Sequence, residues 1–329
     1  MVDVPAPLPP AATQPAAFLA RGDEGDVRVV VRVGVRTDVG RRREHNEDSY
    51  GARFPFYVVA DGMGGHQAGD VASATVIGEL LGGAPPGHFA TAADLSSAIA
   101  RAAERVSELG VGLPVDQRAP GSTLTGLAFS THRSMPCARV FNIGDSRTYL
   151  LSGSEFSQIT TDHSEVQEML DSGAVNAVQA RALPHRNVIT RALGAGSGPR
   201  VLADLSVVPA SAGDRYLMCS DGLSGEVTDA LIEMVMRTLA DPQRVADELV
   251  SMALTAGGKD NVTVMVVDVV DADPSWNFDP ADGTTVNSDD TVGGNPDIAF
   301  VDDDTIPTRH VADAAVVGPG RAGDEEDLP

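Results

Sequence analysis

The chain has 329 residues, enough for one large domain or two modest ones, and 42% of them are hydrophobic, enough for a core. Its net charge of −23 is repelled by nucleic acid and by anionic membrane, which argues against both as natural partners. Two cysteines, Cys137 and Cys219, form neither a disulfide framework nor a zinc cluster, a usage that suits a reducing cytosol. No run approaches the roughly 20 apolar residues that cross a bilayer. The first residues lack the basic start of a signal peptide. A cytoplasmic protein without membrane insertion is expected.

Residues 1–25 are rich in Pro and Ala without hydrophobic periodicity and read as a disordered lead-in. Residues 26–270 alternate apolar runs with turn signals, the pattern of one globular domain. Clusters of β-branched and aromatic residues predict strands at 27–35 (VRVVVRVGV), 56–60 (FYVVA), 122–129, 139–143, 215–219 and 262–270. Helical patterns fall at 70–81, 92–109, 228–239 and 242–255. The last opens with Asp241 as N-cap and Pro242 at the first helical position. The stripe Leu231, Val235, Met236 and Leu239 reads as core. Helices in groups and strands in runs, without βαβ alternation, favour an α+β fold of antiparallel sheets flanked by helices.

Residues 271–329 read as an acidic, disordered tail. Between 272 and 329 fourteen Asp or Glu face only Arg309 and Arg321, so this stretch carries about half the net charge of the whole chain. Thr284, Thr285, Thr291 and Thr305 lie there in acidic settings open to a kinase, although a plain solvated appendage is the simpler reading.

Chemistry is suggested by aspartates that end apolar strands. FYVVA runs into Asp61-Gly62, YLMCS into Asp221-Gly222, and FNIG into Asp145-Ser146-Arg147. A strand end holds a carboxylate rigidly, and carboxylates, carbonyls and water are the ligands of hard ions such as Mg²⁺ and Mn²⁺. Glu47-Asp48 and Asp260-Asn261 add to the set.

Six motifs follow in order: Arg43-Glu-His-Asn-Glu47-Asp48, Asp61-Gly-Met-Gly-Gly-His66, Gly121-Ser-Thr123, Gly144-Asp145-Ser-Arg147, Ser220-Asp221-Gly222 and Gly258-Lys-Asp260-Asn261. Together they resemble the PPM (PP2C-type) metal-dependent protein phosphatases of bacterial type, over residues 30 to 268. The resemblance implies a four-layer α-β-β-α sandwich with a site for two Mn²⁺ or Mg²⁺ ions, a bridging water of which attacks phosphoserine or phosphothreonine. Asp61 would bridge the ions and the Gly62 carbonyl would bind one. Asp221 and Asp260 would hold one ion, and Asp48, with Glu47 through water, the other. Asp145 matches the position of a third ion beside Asp221, and Arg43 matches the arginine that grips the substrate phosphate. Met63 stands where eukaryotic relatives carry a proton-donating His, and His66 is a weaker candidate for that role. Residues 161–186 correspond to the family's flap.

Other chemistry fits less well. No Gly-Lys-Ser/Thr ending marks a nucleotide loop, no His pair marks a zinc hydrolase, and neither cysteine has an arginine cradle for a cysteinyl-phosphate route. The expected protein is a monomeric Ser/Thr phosphatase acting on phosphorylated proteins, among them Ser/Thr protein kinases and their substrates. The alternatives are a catalytically silent, phosphoprotein-binding domain of this family and a phosphatase of an anti-sigma-factor antagonist.

Overall fold

A computed structural model describes residues 16–22, 25–64, 68–114, 118–176, 179–180, 183, 188–274 and 301–302. Two antiparallel sheets form its centre. The first has the order β1 (Ala16–Gly22), β2 (Gly25–Asp38), β13 (Val262–Asp273), β12 (Arg215–Cys219), β8 (Arg147–Ser152) and β9 (Glu155–Gln158). The second has the order β10 (Leu193–Gly194), β5 (Gly121–Ser122), β4 (Phe56–Met63), β6 (Leu124–His132), β7 (Met135–Ile143), β11 (Asp204–Pro209) and β14 (Val301–Asp302), with β3 (Asp48–Arg53) also paired to β4. β14 is the exception to antiparallel pairing, running parallel to β11 for two residues.

The apolar runs explain the layering. Their strands are buried on both faces, so alternate residues enter different cores. In β4, Tyr57 and Val59 enter the core between the sheets, while Phe56, Val58 and Ala60 face helices α1 (Ala68–Leu81) and α2 (Ala92–Leu109). In β13, Met265 and Val267 face the middle, while Val264 and Val266 face α5 (Asp229–Thr238) and α6 (Pro242–Ala256). The result is the expected four-layer sandwich of helices, sheet, sheet and helices. Short helices α3 (Glu165–Asp171) and α4 (Asp221–Ser224) sit in connections. Thr91 caps α2 with a full capping box, and Asp241 caps α6 by accepting from the Gln243 N–H.

The lead-in expectation needs correcting. Ala16–Gly22, assigned to residues 1–25, form β1 and pair with β2, and Phe18 stacks on Phe54 at 3.8 Å. One apolar side chain with a distant aromatic partner leaves no periodic signature. Leu231 also departs from the predicted stripe, being 38% exposed while Ile232 is buried in its place. The remainder of the lead-in and nearly all of the tail, including Thr284, Thr285, Thr291 and Thr305, lie outside the described residues, as does His66.

One buried ion pair fastens the outer helices to the first sheet. Arg215 on β12 donates to both carboxylate oxygens of Asp268 on β13 (2.6 and 2.9 Å), to the carbonyl of Met236 in the last turn of α5, and to those of Leu239 and Ala240 in the α5–α6 connection. Removing one partner leaves a buried charge uncompensated. Asp268→Ala is expected to destabilise the fold by about 3–5 kcal/mol, read as a lowered midpoint in urea denaturation.

Candidate active site

The strand order brings the predicted aspartates to one end of the sandwich. Asp61 near the end of β4 lies directly opposite Asp48 at the start of β3. Asp221 follows β12, Asp260 precedes β13, and Asp145 sits in the turn between β7 and β8. These carboxylates feel one another. The Asp61 carboxyl is pushed well above its ordinary range by burial and then by the charges of Asp48, Asp221, Asp145 and Asp260. Asp48 rises to about 7, chiefly through burial, and Asp145 to about 8, through burial followed by Asp221 and Asp162. Burial also raises Glu47, against the opposing charge of Arg43.

Backbone and hydroxyl contacts hold each group in place. Asp61 donates its N–H to Thr123 Oγ1 and accepts the Thr123 N–H, both at 2.9 Å. Thr123 Oγ1 in turn lies 2.8 Å from Ser146 Oγ, which ties the Asp61 strand to the Asp145 turn. Gly62 donates to the Glu47 carbonyl at 3.1 Å, and a Cβ there would stand 2.0 Å from the Gly69 carbonyl oxygen. Asn261 Oδ1 accepts the Glu47 N–H at 2.8 Å. Gly222 meets the same constraint as Gly62, since a Cβ there would lie 1.9 Å from the Asn261 oxygen. Both Asp-Gly pairs need glycine for close backbone approach.

The Asp145 turn has a second anchor. His163, buried, accepts the Gly144 N–H at Nδ1 (3.0 Å), and its backbone N–H donates to the Gly144 carbonyl (2.9 Å). Its Nε2 faces Asp204 at 3.1 Å, and Asp204 also pairs with Arg191. The flap region, of which α3 is the described helix, is thereby joined to Asp145 through His163.

Arg43, expected at the substrate phosphate, pairs with one of the carboxylates. Its Nη2 lies 2.8 Å from Asp260 Oδ2, with side chains 49% and 28% exposed. Sequence reasoning missed this pairing, and missed Thr37, Thr263 and His163 altogether. The one available signal was their residue type: hydroxyls at strand ends and an imidazole beside Asp162, both suited to orienting a neighbour.

Whether the residues fit cations can be tested on one atom. Asp48 Oδ1 is buried with no hydrogen-bond partner, although Oδ2 accepts two hydroxyls. A buried carboxylate oxygen is rarely left so, and a hard cation is the partner that clustered carboxylates suit. Among the described residues, no three His, Cys, Asp or Glu side chains close into a ready-made metal cage. The aspartates share a region of mutual repulsion instead, and the donor chemistry fits a hard divalent ion.

Known proteins resemble this chain in sequence and fold. No protein-family model matched the chain. The chain is 42% identical over 251 residues to the serine/threonine protein phosphatase PstP of Mycobacterium tuberculosis, covering 75% of this chain and about half (46%) of that protein. It is 36% identical over 243 residues to the serine/threonine phosphatase stp of Listeria innocua, covering 71% of this chain and 94% of the relative. The catalytic domain of PstP, solved in complex with two manganese ions, superposes with a TM-score of 0.64 at 38% identity, covering 73% of this chain and 99% of that one. The chain belongs to the PPM (PP2C-type) family of bacterial serine/threonine phosphatases. Among the relatives it matches within that family are the PstP and stp phosphatases.

Two outcomes are expected from this geometry. Folding raises the affinity of Asp48 and Asp145 for protons from the ordinary 3.8 to about 7 and about 8. The folded chain then binds more protons than the unfolded one between those values, so stability falls as pH rises across that window. In EDTA the urea midpoint should be higher at about pH 5 than at about pH 8, and Mn²⁺ should narrow the gap by taking the place of the protons. For Arg43→Ala, an exposed ion pair is worth only about 0–1 kcal/mol, so Mn²⁺ affinity should tighten by at most about fivefold. KM for an aryl phosphate should rise about tenfold or more with the loss of a charged phosphate donor. Calorimetry and steady-state kinetics separate the two effects.

Proposed function

We propose that the chain is a metal-dependent protein phosphatase that hydrolyses phosphoserine and phosphothreonine. The observation that carries the reading is the convergence of Asp48, Asp61, Asp145, Asp221 and Asp260 on one end of the sandwich, with Asp48 Oδ1 buried and unpartnered. Asp221 and Asp260 would hold one of two core ions and Asp48, with Glu47 through water, would serve the other, while Asp61 would be shared by both and the Gly62 carbonyl would bind one. Asp145, whose charge environment includes Asp221, would hold a third. When bound, Mn²⁺ or Mg²⁺ supplies a nucleophile at neutral pH and neutralises the phosphate.

The chain's own residues position the reactants. Thr123 and Asn261 fix the Asp61 strand and the Glu47 backbone. Arg43, half exposed at the rim, offers guanidinium donors to the phosphate oxygens while one donor stays on Asp260. Met63 cannot donate a proton to the leaving alcohol.

The named relatives are serine/threonine phosphatases, which supports phosphorylated proteins as substrates; we extend this reading to Ser/Thr protein kinases and their substrates. Two buried free thiols support a cytoplasmic site of action. One chain carries every proposed ligand, which is consistent with a monomer. A silent domain is disfavoured by the complete carboxylate set. An anti-sigma-factor antagonist as substrate has no specific observation in its favour.

The full chain should hydrolyse p-nitrophenyl phosphate and phosphothreonine peptides in Mn²⁺ or Mg²⁺, lose activity in EDTA and regain it when Mn²⁺ is restored. Asp61→Asn and Asp260→Asn should each lower kcat by about 100-fold or more, as expected when several kcal/mol of charge stabilisation is lost. Undiminished turnover in EDTA would refute the proposal.

A further inference from the structure

A chain of side-chain hydrogen bonds ends on Asp48, and each of its protons points the same way. Asp48 Oδ2 accepts the Ser220 and Thr263 hydroxyls, each at 2.7 Å. A carboxylate only accepts, so the single proton of Thr263 Oγ1 is committed to it. Thr37 Oγ1 lies 2.8 Å from Thr263 Oγ1 and must therefore be the donor in that pair. Thr37 in turn accepts from Asn46 Nδ2 at 2.8 Å. The amide orientation of Asn46 is fixed from its other side, because Oδ1 accepts the Asp48 N–H at 3.1 Å. Ser220 Oγ also accepts the Thr263 N–H at 3.0 Å, which leaves its proton for Asp48.

The network spans the two sheets. Thr37 and Thr263 face each other across β2 and β13 of the first sheet, whereas Asp48 opens β3 of the second. Both hydroxyls bind Oδ2 and none binds Oδ1, which is buried without a partner. The carboxylate is thus held at one oxygen and presented at the other. Aligned donors polarise one another, so the chain Asn46 to Thr37 to Thr263 strengthens the last bond.

We propose that Thr263, backed by Thr37, is a positioning residue that aims Asp48 Oδ1 at a divalent cation. This rests on the reading of Asp48 as a cation ligand. Outer partners of this kind typically change metal affinity by about 10- to 100-fold. Replacing Thr263 by Val removes the hydroxyl at nearly constant volume, and replacing it by Ser keeps the hydroxyl.

The test is calorimetric titration of Mn²⁺ into the chelator-stripped full chain, with a thermal melt of each variant. Thr263→Val should weaken the Asp48-dependent binding about tenfold or more, and Thr263→Ser should stay within about twofold of wild type. Thr37→Val should fall between them, since it removes only the second link. Asp48→Asn should weaken the same binding, and adding Thr263→Val to it should cause no further loss. Wild-type affinity in Thr263→Val beside a weakened Asp48→Asn overturns the positioning role but keeps Asp48 as a ligand. Wild-type affinity in Asp48→Asn removes the ligand reading and the proposal with it. A Thr263→Ser loss as large as that of Thr263→Val assigns the effect to the methyl group and overturns the proposal. Should Thr263→Val fail to fold, unchanged binding in Thr37→Val overturns the relay.

Discussion

Repulsion among aspartates brought to one end of a sandwich is the constraint on which the rest of this structure depends. Each carboxylate raises the proton affinity of its neighbours, and burial raises it further. A protein holds such a group only with rigid support and a compensating positive charge. The support is visible: strand ends, two Asp-Gly pairs without room for a Cβ, and hydroxyls from Thr123, Ser220 and Thr263. Part of the compensation comes from Arg43 on Asp260. A hard divalent cation completes it.

The layering serves that end. Strands buried on both faces can be held straight by apolar contacts on either side, so their termini are defined by the cores rather than by solvent. The start of α1 closes onto the carboxylate end, where Ser73 donates to the Glu47 carbonyl at 2.6 Å. The Arg215–Asp268 pair fastens α5 and α6 further along the first sheet, at residues of β12 and β13 remote from Asp221 and Asp260. Stability and chemistry draw on different stretches of the same strands.

Much of this was legible in the sequence. The long strands and four longer helices lie where periodicity placed them, because apolar runs of that length have few alternatives. Strand-end Asp-Gly pairs announced themselves by following FYVVA and YLMCS. What escaped was pairing between distant residues. β1 depends on β2 and on a Phe18–Phe54 stack, Arg43 finds Asp260, and His163 finds Gly144. Residue type hints at such contacts, but only the folded register selects the partner. β3, β8, β9 and β11 were missed because their residues do not form a continuous apolar run.

The reach of the hydrogen bonds onto Asp48 has a consequence for biosynthesis. Ser220 lies 172 residues after it and Thr263 215 residues after it. A ribosome delivers Asp48 and Asp61 early and the hydroxyls, Asp221 and Asp260 near the end of the domain. Contacts so far apart in sequence carry a large loop-closure entropy and form late. The nascent chain must therefore carry its first carboxylates without their partners until β13 enters between β2 and β12, and that single insertion completes the fold and the site together.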